Sequence, residues 1–397
     1  MEVNFFKALL VDVNPCMQNG YLRGPIVIFD VIPRVATNHH NSMLGDIPWD
    51  SDIWEAVYSL NLESFPGPDG FPRSFYKATW NLVDKDHIET IQDLFHGGEL
   101  PQVASSTTMV HIHKVKDPSS LSQFRPYRIC NFPYKVLVSI LNIRLASLLP
   151  IWISEEHHGF IKGWPIQGVI GIVHGMIDDI NIKAPGSNIV IKFDFDKAYD
   201  RLEWNFIIKE MGFMGFSAWV IDHLFRCYIS IWLSLSFMER KYGFMISVRG
   251  LRQGDTLSPG FFILIQDVHR KYIAHSIHIQ DVLPYRSMSG FNLVSHLIFA
   301  NRMIIFLNNS MRSLQDFNKV MEEYWWWSDQ KFNHDKRCVY VSTNCSIRRA
   351  MVIGDHLGFH RRVFPPIYLG EGAISHGRSL IHHFDGLVDK ITNKINN

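Results

Sequence analysis

The sequence predicts an α+β fold, and three observations carry that expectation. Strand-like and helix-like segments are interspersed without a regular βαβ rhythm, which argues against a doubly wound sheet. Apolar residues make up 47% of the chain and charged residues 19%, a globular composition that excludes a disordered or collagen-like chain. The 397 residues correspond to roughly two or three domains or lobes.

Each element follows from its local pattern. Helical apolar spacing near Trp54–Leu62 stops at the cluster Ser64-Phe65-Pro66-Gly67-Pro68-Asp69-Gly70-Phe71-Pro72, whose Pro, Gly and Asp content predicts a fixed turn. A helix is expected around Ser74–Phe95 and a strand at Thr107–Val115, with Lys114 and Lys116 at its end. Across 132–149, Leu137, Ile140, Leu141, Leu145, Leu148 and Leu149 share one helical face. Ile189–Phe195 reads as a buried strand. Asp194 and Asp196 are two residues apart, so an extended chain puts both on one face. Helices are expected at 203–213 and 217–229, and a strand at Gly243–Val248. Arg249–Pro259 is a Gly-containing polar loop that leads into an apolar helix, Gly260–Ile273. His296–Phe306 reads as a hairpin around Ala300-Asn301-Arg302, Leu314–Trp327 as a helix, Cys338–Ser342 as a strand and 376–395 as a helix. The aromatic run Tyr324-Trp325-Trp326-Trp327 reads as core packing.

Several classes are set aside. The five cysteines (Cys16, Cys130, Cys227, Cys338, Cys345) are scattered and contain no C-x-x-C pair. That argues against a disulfide framework or zinc site, and for a reducing compartment. No Ser-hydrolase spacing is present. No run of 18 apolar residues free of charge occurs, so a membrane span is not expected. Met1–Val13 lacks the basic flank and cleavage site of a signal peptide. The net charge of +1 does not by itself announce a nucleic-acid binder.

Four segments, "SFPGPDGFPRSFYKATW" (64–80), "FRPYRICNFPYKVL" (124–137), "IKFDFDKAYDRLEW" (191–204) and "RGLRQGDTLSPGFF" (249–262), together resemble the reverse transcriptase of LINE-type non-LTR retrotransposons, especially the plant branch. "SHLIFANRMIIF" (295–306), "FNHDKRCVYV" (332–341) and "PPIYLG" (365–370) continue the match in order, so the resemblance covers roughly residues 50 to 395. It implies a right-hand polymerase: an unassigned segment 1–45, an N-terminal extension and fingers over 46–185, a palm over 186–345, and a primer-grip hairpin with the start of a thumb over 346–397. Relatives of this kind usually carry an endonuclease and further sequence, which makes the chain resemble an excised piece. The implied partners are an RNA template, a DNA primer and deoxynucleotides, in an intracellular (nuclear or cytoplasmic) setting.

The implied chemistry is nucleotidyl transfer with two Mg2+ ions, one activating the primer 3′-oxygen and one supporting the leaving pyrophosphate. Mg2+ requires hard oxygen ligands, and Asp194 matches the first such carboxylate. Asp196 shares its face as a weaker metal candidate. By resemblance Tyr199 is a steric gate against a ribose 2′-OH. Arg249, Gln253 and Gly254 belong to a loop that closes over nucleotide and template. Lys114 and Arg125 grip the triphosphate. Lys336 donates a proton to pyrophosphate, and Tyr368-Leu369-Gly370 forms the primer grip. Taken singly, these residues read more simply: a strand-end carboxylate, a core tyrosine, a turn and solvated surface cations.

The sequence also departs from the family. The catalytic hairpin, which ends in Phe/Tyr-Ala-Asp-Asp in the family, reads Phe299-Ala300-Asn301-Arg302. Asn301 offers only a neutral carbonyl oxygen, and Arg302 brings a positive charge where a negative one belongs. Trp164 replaces an expected arginine, Tyr127 and Arg128 replace small or apolar residues, and Thr256 replaces a proline. These changes, with twenty histidines in the chain, match what cytosine deamination in DNA produces and suggest a decaying copy. Two further readings follow: a fold kept for RNA or RNA–DNA binding without catalysis, or a product without function. From 331 to 397 ten Lys/Arg stand against five acids, a net +5 that could contact phosphates.

Overall fold

The computed structural model describes residues 2–11, 27–61, 64–99, 101–154, 157–158, 161, 172–173, 175–182, 187–229, 232–237, 240–287, 294–299, 301–362, 367–368 and 371–372. The chain forms two compact units. One comprises Met1–Ile153, Lys197–Val268 and Tyr324–Gln330; the other comprises Ser154–Asp196, His269–Glu323 and Lys331–Asn397. The strands that concern the site are β1 (Thr107–His113), β2 (Phe124–Cys130), β3 (His157–His158), β4 (Asn188–Asp196), β5 (Trp232–Phe237), β6 (Arg240–Ile246), β7 (His296–Phe299), β8 (Arg302–Asn308), β9 (Lys331–Phe332), β10 (Cys338–Val341) and β11 (His360–Arg361). The predicted α+β class holds.

The first unit carries a four-stranded sheet in the order β2-β1-β5-β6. Strand β2 was not expected from sequence. Pro126 cannot donate to a ladder, so it is tolerated because β2 is an edge strand. Strand β5 pairs with β6 through a register shift at Ser234/Leu235, opposite Gly243, whose φ is +57°. The bulge lets Arg240–Tyr242 join the ladder, so β6 begins three residues before the expected Gly243. The helix expected over Ser74–Phe95 is interrupted: Arg73–Ala78 ends at Thr79, and Trp80–Phe95 starts anew. The helix Phe132–Trp152 buries all six leucines and isoleucines of its expected face and more besides. Among the described residues it is the one helix long and apolar enough to cross a membrane; twelve of its residues are buried inside this unit. In the aromatic run, Tyr324 and Trp327 are buried, as expected for core, while Trp326 is exposed.

The second unit carries the sheet β11-β10-β4-β8-β7-β3, with β9 also on β4. Strand β4 is central and apolar on both faces, as its near-continuous run of hydrophobics requires. One face packs Val190, Phe306, Tyr340, Leu297 and Ile304 with Val173, Met176, Ile177 and Ile180. Strands β7 and β8 form the expected hairpin, with Phe299 opposite Arg302. The helix Ile347–Leu357, capped by Ser346 and ended by Gly358 at φ +64°, was not read from sequence. The helix expected at 376–395 lies outside the described residues, as does Trp164.

Candidate functional site

In the second unit, chemistry-bearing residues converge at one end of the central strands. Strand β4 pairs antiparallel with β8 from Asn188 to Asp194, which sets Asp194 directly opposite Arg302. Cross-strand partners point to the same face, so the two side chains meet: Arg302 Nε lies 3.7 Å from Asp194 Oδ2. Past Asp194 the strand changes partner, and Phe195 and Asp196 pair with Phe332 and Lys331 of β9. The hairpin turn is stitched to β4 through its backbone, because the Asn301 carbonyl accepts from Phe195 N at 3.1 Å.

The turn between β9 and β10 supplies the next group. Asn333 N donates to the Asp194 carbonyl at 2.8 Å, and Lys336 N closes back on the Asn333 carbonyl at 3.2 Å. The Asn333 side chain accepts from Asp335 N at 3.1 Å, an Asx turn that fixes the loop. Its outcome is Lys336 Nζ 3.4 Å from the same Asp194 Oδ2. The carboxylate is almost fully buried, while the two cations remain 41% and 59% exposed. Among the described residues no group of three His, Cys, Asp or Glu is placed to hold a metal ion. The donor set at this end, one carboxylate shared by two cations, does not fit a pair of dications.

In the first unit, the loop 249–258 is held at almost every residue. Gly250, at φ +85°, donates to the Leu202 carbonyl at 2.8 Å, and Leu251 N donates to the Tyr199 carbonyl at 2.7 Å. A Cβ on Gly250 would lie 2.7 Å from the Asp200 carbonyl oxygen, so only glycine permits the approach. The guanidinium of Arg252 is buried over the rings of Tyr134 and Tyr228 at 4.4 and 5.1 Å and donates to the Cys227 carbonyl. Asp255 accepts from Tyr134 Oη at 2.8 Å, and burial raises its pKa.

This anchoring delivers Gln253. Its Nε2 donates to Asp200 Oδ2 at 2.8 Å, and its carbonyl accepts from Arg128 N at 3.0 Å on the open edge of β2. Asp200 is 1% exposed. Its other oxygen lies 3.9 Å from Arg128 Nη2, and neither of those two atoms has a hydrogen-bond partner. Burial pushes the Asp200 carboxyl up to about 6, against the pull of Arg128, Lys197, Gln253 and Lys114. Burial likewise lowers the Arg128 pKa. Beside this cluster a cavity of about 350 Å³ is lined by Arg128, Tyr127, Lys135, Phe65, Gly254 and Thr256, among others.

The remaining expected residues fall as follows. Tyr199 stacks on Phe262 with centroids 4.6 Å apart, and burial raises its phenol pKa. Arg249 is buried and spent in ion pairs with Asp329 at 2.6 Å and Glu203 at 3.4 Å. Gly254, at φ +99°, approaches the Tyr127 ring so closely that a Cβ would sit 2.5 Å from it. Lys114 and Arg125 both lie on the β1–β2 hairpin, exposed, with Lys114 Nζ on the Ser122 carbonyl at 2.8 Å. Tyr368 pairs its backbone with Glu371; Leu369 and Gly370 lie outside the described residues. Sequence reasoning missed Asp200, Glu203 and Asp329. Nothing in "KAYDRLEW" marked Asp200 as buried, because Lys197, Arg201 and Glu203 beside it give the stretch a surface composition.

Residues 112–360, more than half of the chain, match the family model described as reverse transcriptase (RNA-dependent DNA polymerase). The chain is 21% identical over 237 residues to the Transposon TX1 uncharacterized 149 kDa protein of Xenopus laevis, covering 60% of this chain and 18% of that protein. It is 22% identical over 279 residues to the retrovirus-related Pol polyprotein from type-1 retrotransposable element R2 of Nasonia vitripennis (68% and 25%). To the corresponding polyprotein from type-2 retrotransposable element R2DM of Drosophila melanogaster it is 24% identical over 227 residues (54% and 20%). The chain therefore spans a quarter or less of the length of these relatives.

Proposed function

The chain belongs to the reverse transcriptase (RNA-dependent DNA polymerase) family, and from that premise we propose that it is the polymerase portion of a non-LTR retrotransposon protein whose catalytic hairpin has lost its chemistry. The proposed ligands are those of the family: an RNA template, a DNA primer and deoxynucleotides, with two Mg2+ ions in an intact site and an intracellular setting. We assign the palm to 186–345, the fingers and N-terminal extension to 46–185, and the primer grip to 346–397.

The observation that carries the impairment is the cross-strand pair Asp194–Arg302 at 3.7 Å. By resemblance to the family, the positions of Asn301 and Arg302 would carry carboxylates that, with Asp194, would hold a dication. Here a guanidinium occupies the facing position, and Lys336 contacts the same oxygen at 3.4 Å. Asp194 and the weaker candidate Asp196 are then too few to hold two ions, so no metal-assisted step is assigned to this chain. Nucleotide binding is assigned to residues outside the hairpin. Lys114 and Arg125 project from the fingers hairpin as triphosphate contacts. Gln253, braced by Asp200, presents its amide beside Gly254. Tyr199, stacked on Phe262, is assigned as the gate. Arg249 acts as a positioning residue through Glu203 and Asp329. Lys336, 3.4 Å from Asp194, is not assigned a proton-donor role, since no metal-assisted step is assigned to this chain. The net +5 between 331 and 397 favours retained RNA or RNA–DNA binding as the second reading.

Primer extension on an RNA template with Mg2+ or Mn2+ tests this. The unmodified chain is expected to leave primers unextended, and Asn301→Asp with Arg302→Asp to restore extension. Efficient extension by the unmodified chain overturns the reading.

A further inference from the structure

We propose that the Asp194–Arg302–Lys336 cluster is a metal-independent anion site that takes the polyphosphate tail of a nucleotide directly onto its two side-chain cations. The inference rests on the reading that this hairpin holds no dication pair, and extends it from a loss to a binding mode. Both cations contact the single oxygen Asp194 Oδ2, at 3.7 and 3.4 Å. Both distances exceed the about 2.7–2.9 Å of a formed charge-assisted hydrogen bond. Arg302 and Lys336 therefore reach Asp194 by charge while keeping N–H donors to spare. The cluster carries two positive charges against one negative.

Its layering gives the direction of approach. Asp194 is 6% exposed at its side chain, whereas Arg302 is 41% and Lys336 59% exposed. A ligand arriving from water meets the cations first, with the carboxylate behind them as the group that holds both in place. Because they share one oxygen, the contacting nitrogens are no more than about 7 Å apart. A triphosphate packs several charges into such a span, whereas a nucleic-acid strand carries one per nucleotide. The polyphosphate is thus the better match to two adjacent cations. A fork-shaped guanidinium with a point-charge ammonium is also a donor combination suited to neighbouring phosphoryl groups. The backbone bonds from Asn333 to Asp194 and from Phe195 to Asn301 tie both cation-bearing turns to β4, so the pair is preorganised.

The sign of the metal effect separates this site from a metal-dependent one. A dication-bound triphosphate site weakens when metal is removed. A site made of fixed cations weakens when Mg2+ is added, because Mg2+ neutralises the polyphosphate before it binds.

The test is isothermal titration of the full chain with inorganic tripolyphosphate, in EDTA and in Mg2+. Binding in EDTA, weakened by Mg2+, is expected. Arg302→Ala and Lys336→Ala, both at exposed side chains, are each expected to weaken it by roughly tenfold or more, with unchanged circular dichroism and melting midpoint. dATP is expected to compete and deoxyadenosine not. Equal binding by the two alanine variants, binding only when Mg2+ is present, or competition by single-stranded RNA but not by dATP each overturns the proposal. No binding in EDTA by a chain that also fails to extend primers sinks this inference alone. Primer extension by the unmodified chain sinks the reading beneath it.

Discussion

Asp200→Asn isolates a single buried carboxyl whose titration the fold has displaced. Asp200 is 1% exposed, with one oxygen bonded to Gln253 at 2.8 Å and the other 3.9 Å from Arg128. Desolvation outweighs the attraction, and the carboxyl is pushed from its ordinary 3.8 up to about 6. The folded state therefore holds the proton more tightly than the unfolded chain does. This group's contribution to stability is complete below about pH 4 and is lost as pH rises through 6. A displacement of about two pH units is worth about 3 kcal/mol at roughly 1.4 kcal/mol per unit. Asparagine cannot ionise, and its side-chain oxygen still accepts from Gln253, so the variant lacks this pH dependence. Urea denaturation of both proteins at pH 4.5 to 7.5 is the assay. Other titrations, such as His269, which burial lowers to about 3, cancel in the difference. The variant is expected to gain on the unmodified chain by about 2 kcal/mol between pH 4.5 and 7.5, since about 1 kcal/mol of the total is already lost below pH 4.5. A difference that stays flat, or that falls with pH, refutes the argument that burial dominates at Asp200.

Arg249→Met removes one cation from two buried carboxylates, Glu203 and Asp329, while Arg201 stays 3.7 Å from Asp329, and is expected to destabilise by roughly 1–3 kcal/mol; Arg249→Met with Asp329→Leu is expected to recover part of that loss in the same urea titration. Gly254→Ala forces a side chain into φ +99° and onto the Tyr127 ring, with an expected loss of roughly 1–3 kcal/mol. Adding Tyr127→Ser should relieve only the steric share, read as a partial recovery of the melting midpoint. Mg2+ is expected to leave the midpoint of the unmodified chain in place. It should raise that of Asn301→Asp/Arg302→Asp by roughly 2 °C once the ion is about tenfold above its Kd, where binding adds about 1.4 kcal/mol.

What the sequence revealed of this fold follows from how strongly each element depends on apolar patterning. Strand β4 was legible because burial on both faces demands an unbroken run of hydrophobics, and the β7–β8 hairpin because two apolar runs flank a short polar turn. Strand β2 was hidden by Arg125, Pro126 and Arg128, which an edge strand accepts and a central one does not. Strand β9 contributes two residues to its ladder, too few to make a period. At the site, the loop 249–258 was legible as a loop, but not as a buried one. Arg252 and Asp255 drew no reading of their own, and the partners that bury this loop lie far away in sequence: Asp329 is 80 residues beyond Arg249. Tyr127 and Arg128 stood out as departures, and the structure shows what they meet: Gly254 beneath the ring of one, Asp200 beside the guanidinium of the other.

The hairpin shows why a change in ligand chemistry need not alter a fold. The turn is fixed by the Asn301 carbonyl on Phe195 N and by the ladder that pairs Asp194 with Arg302, and backbone groups make both contacts. A side chain at 301 or 302 can change without breaking either. Arg302 is half-exposed, so its charge needs no buried counter-charge, and the nearby carboxylate is a favourable neighbour for it. Two adjacent carboxylates in the same turn would repel each other and Asp194 unless a dication lay between them. Without that ion, Asn301 and Arg302 are the less strained pair. Under the proposed reading, loss of the metal ligands is therefore neutral or mildly stabilising for the sheet. Selection for folding alone would not oppose it, and only a demand for catalysis would keep the carboxylates in place.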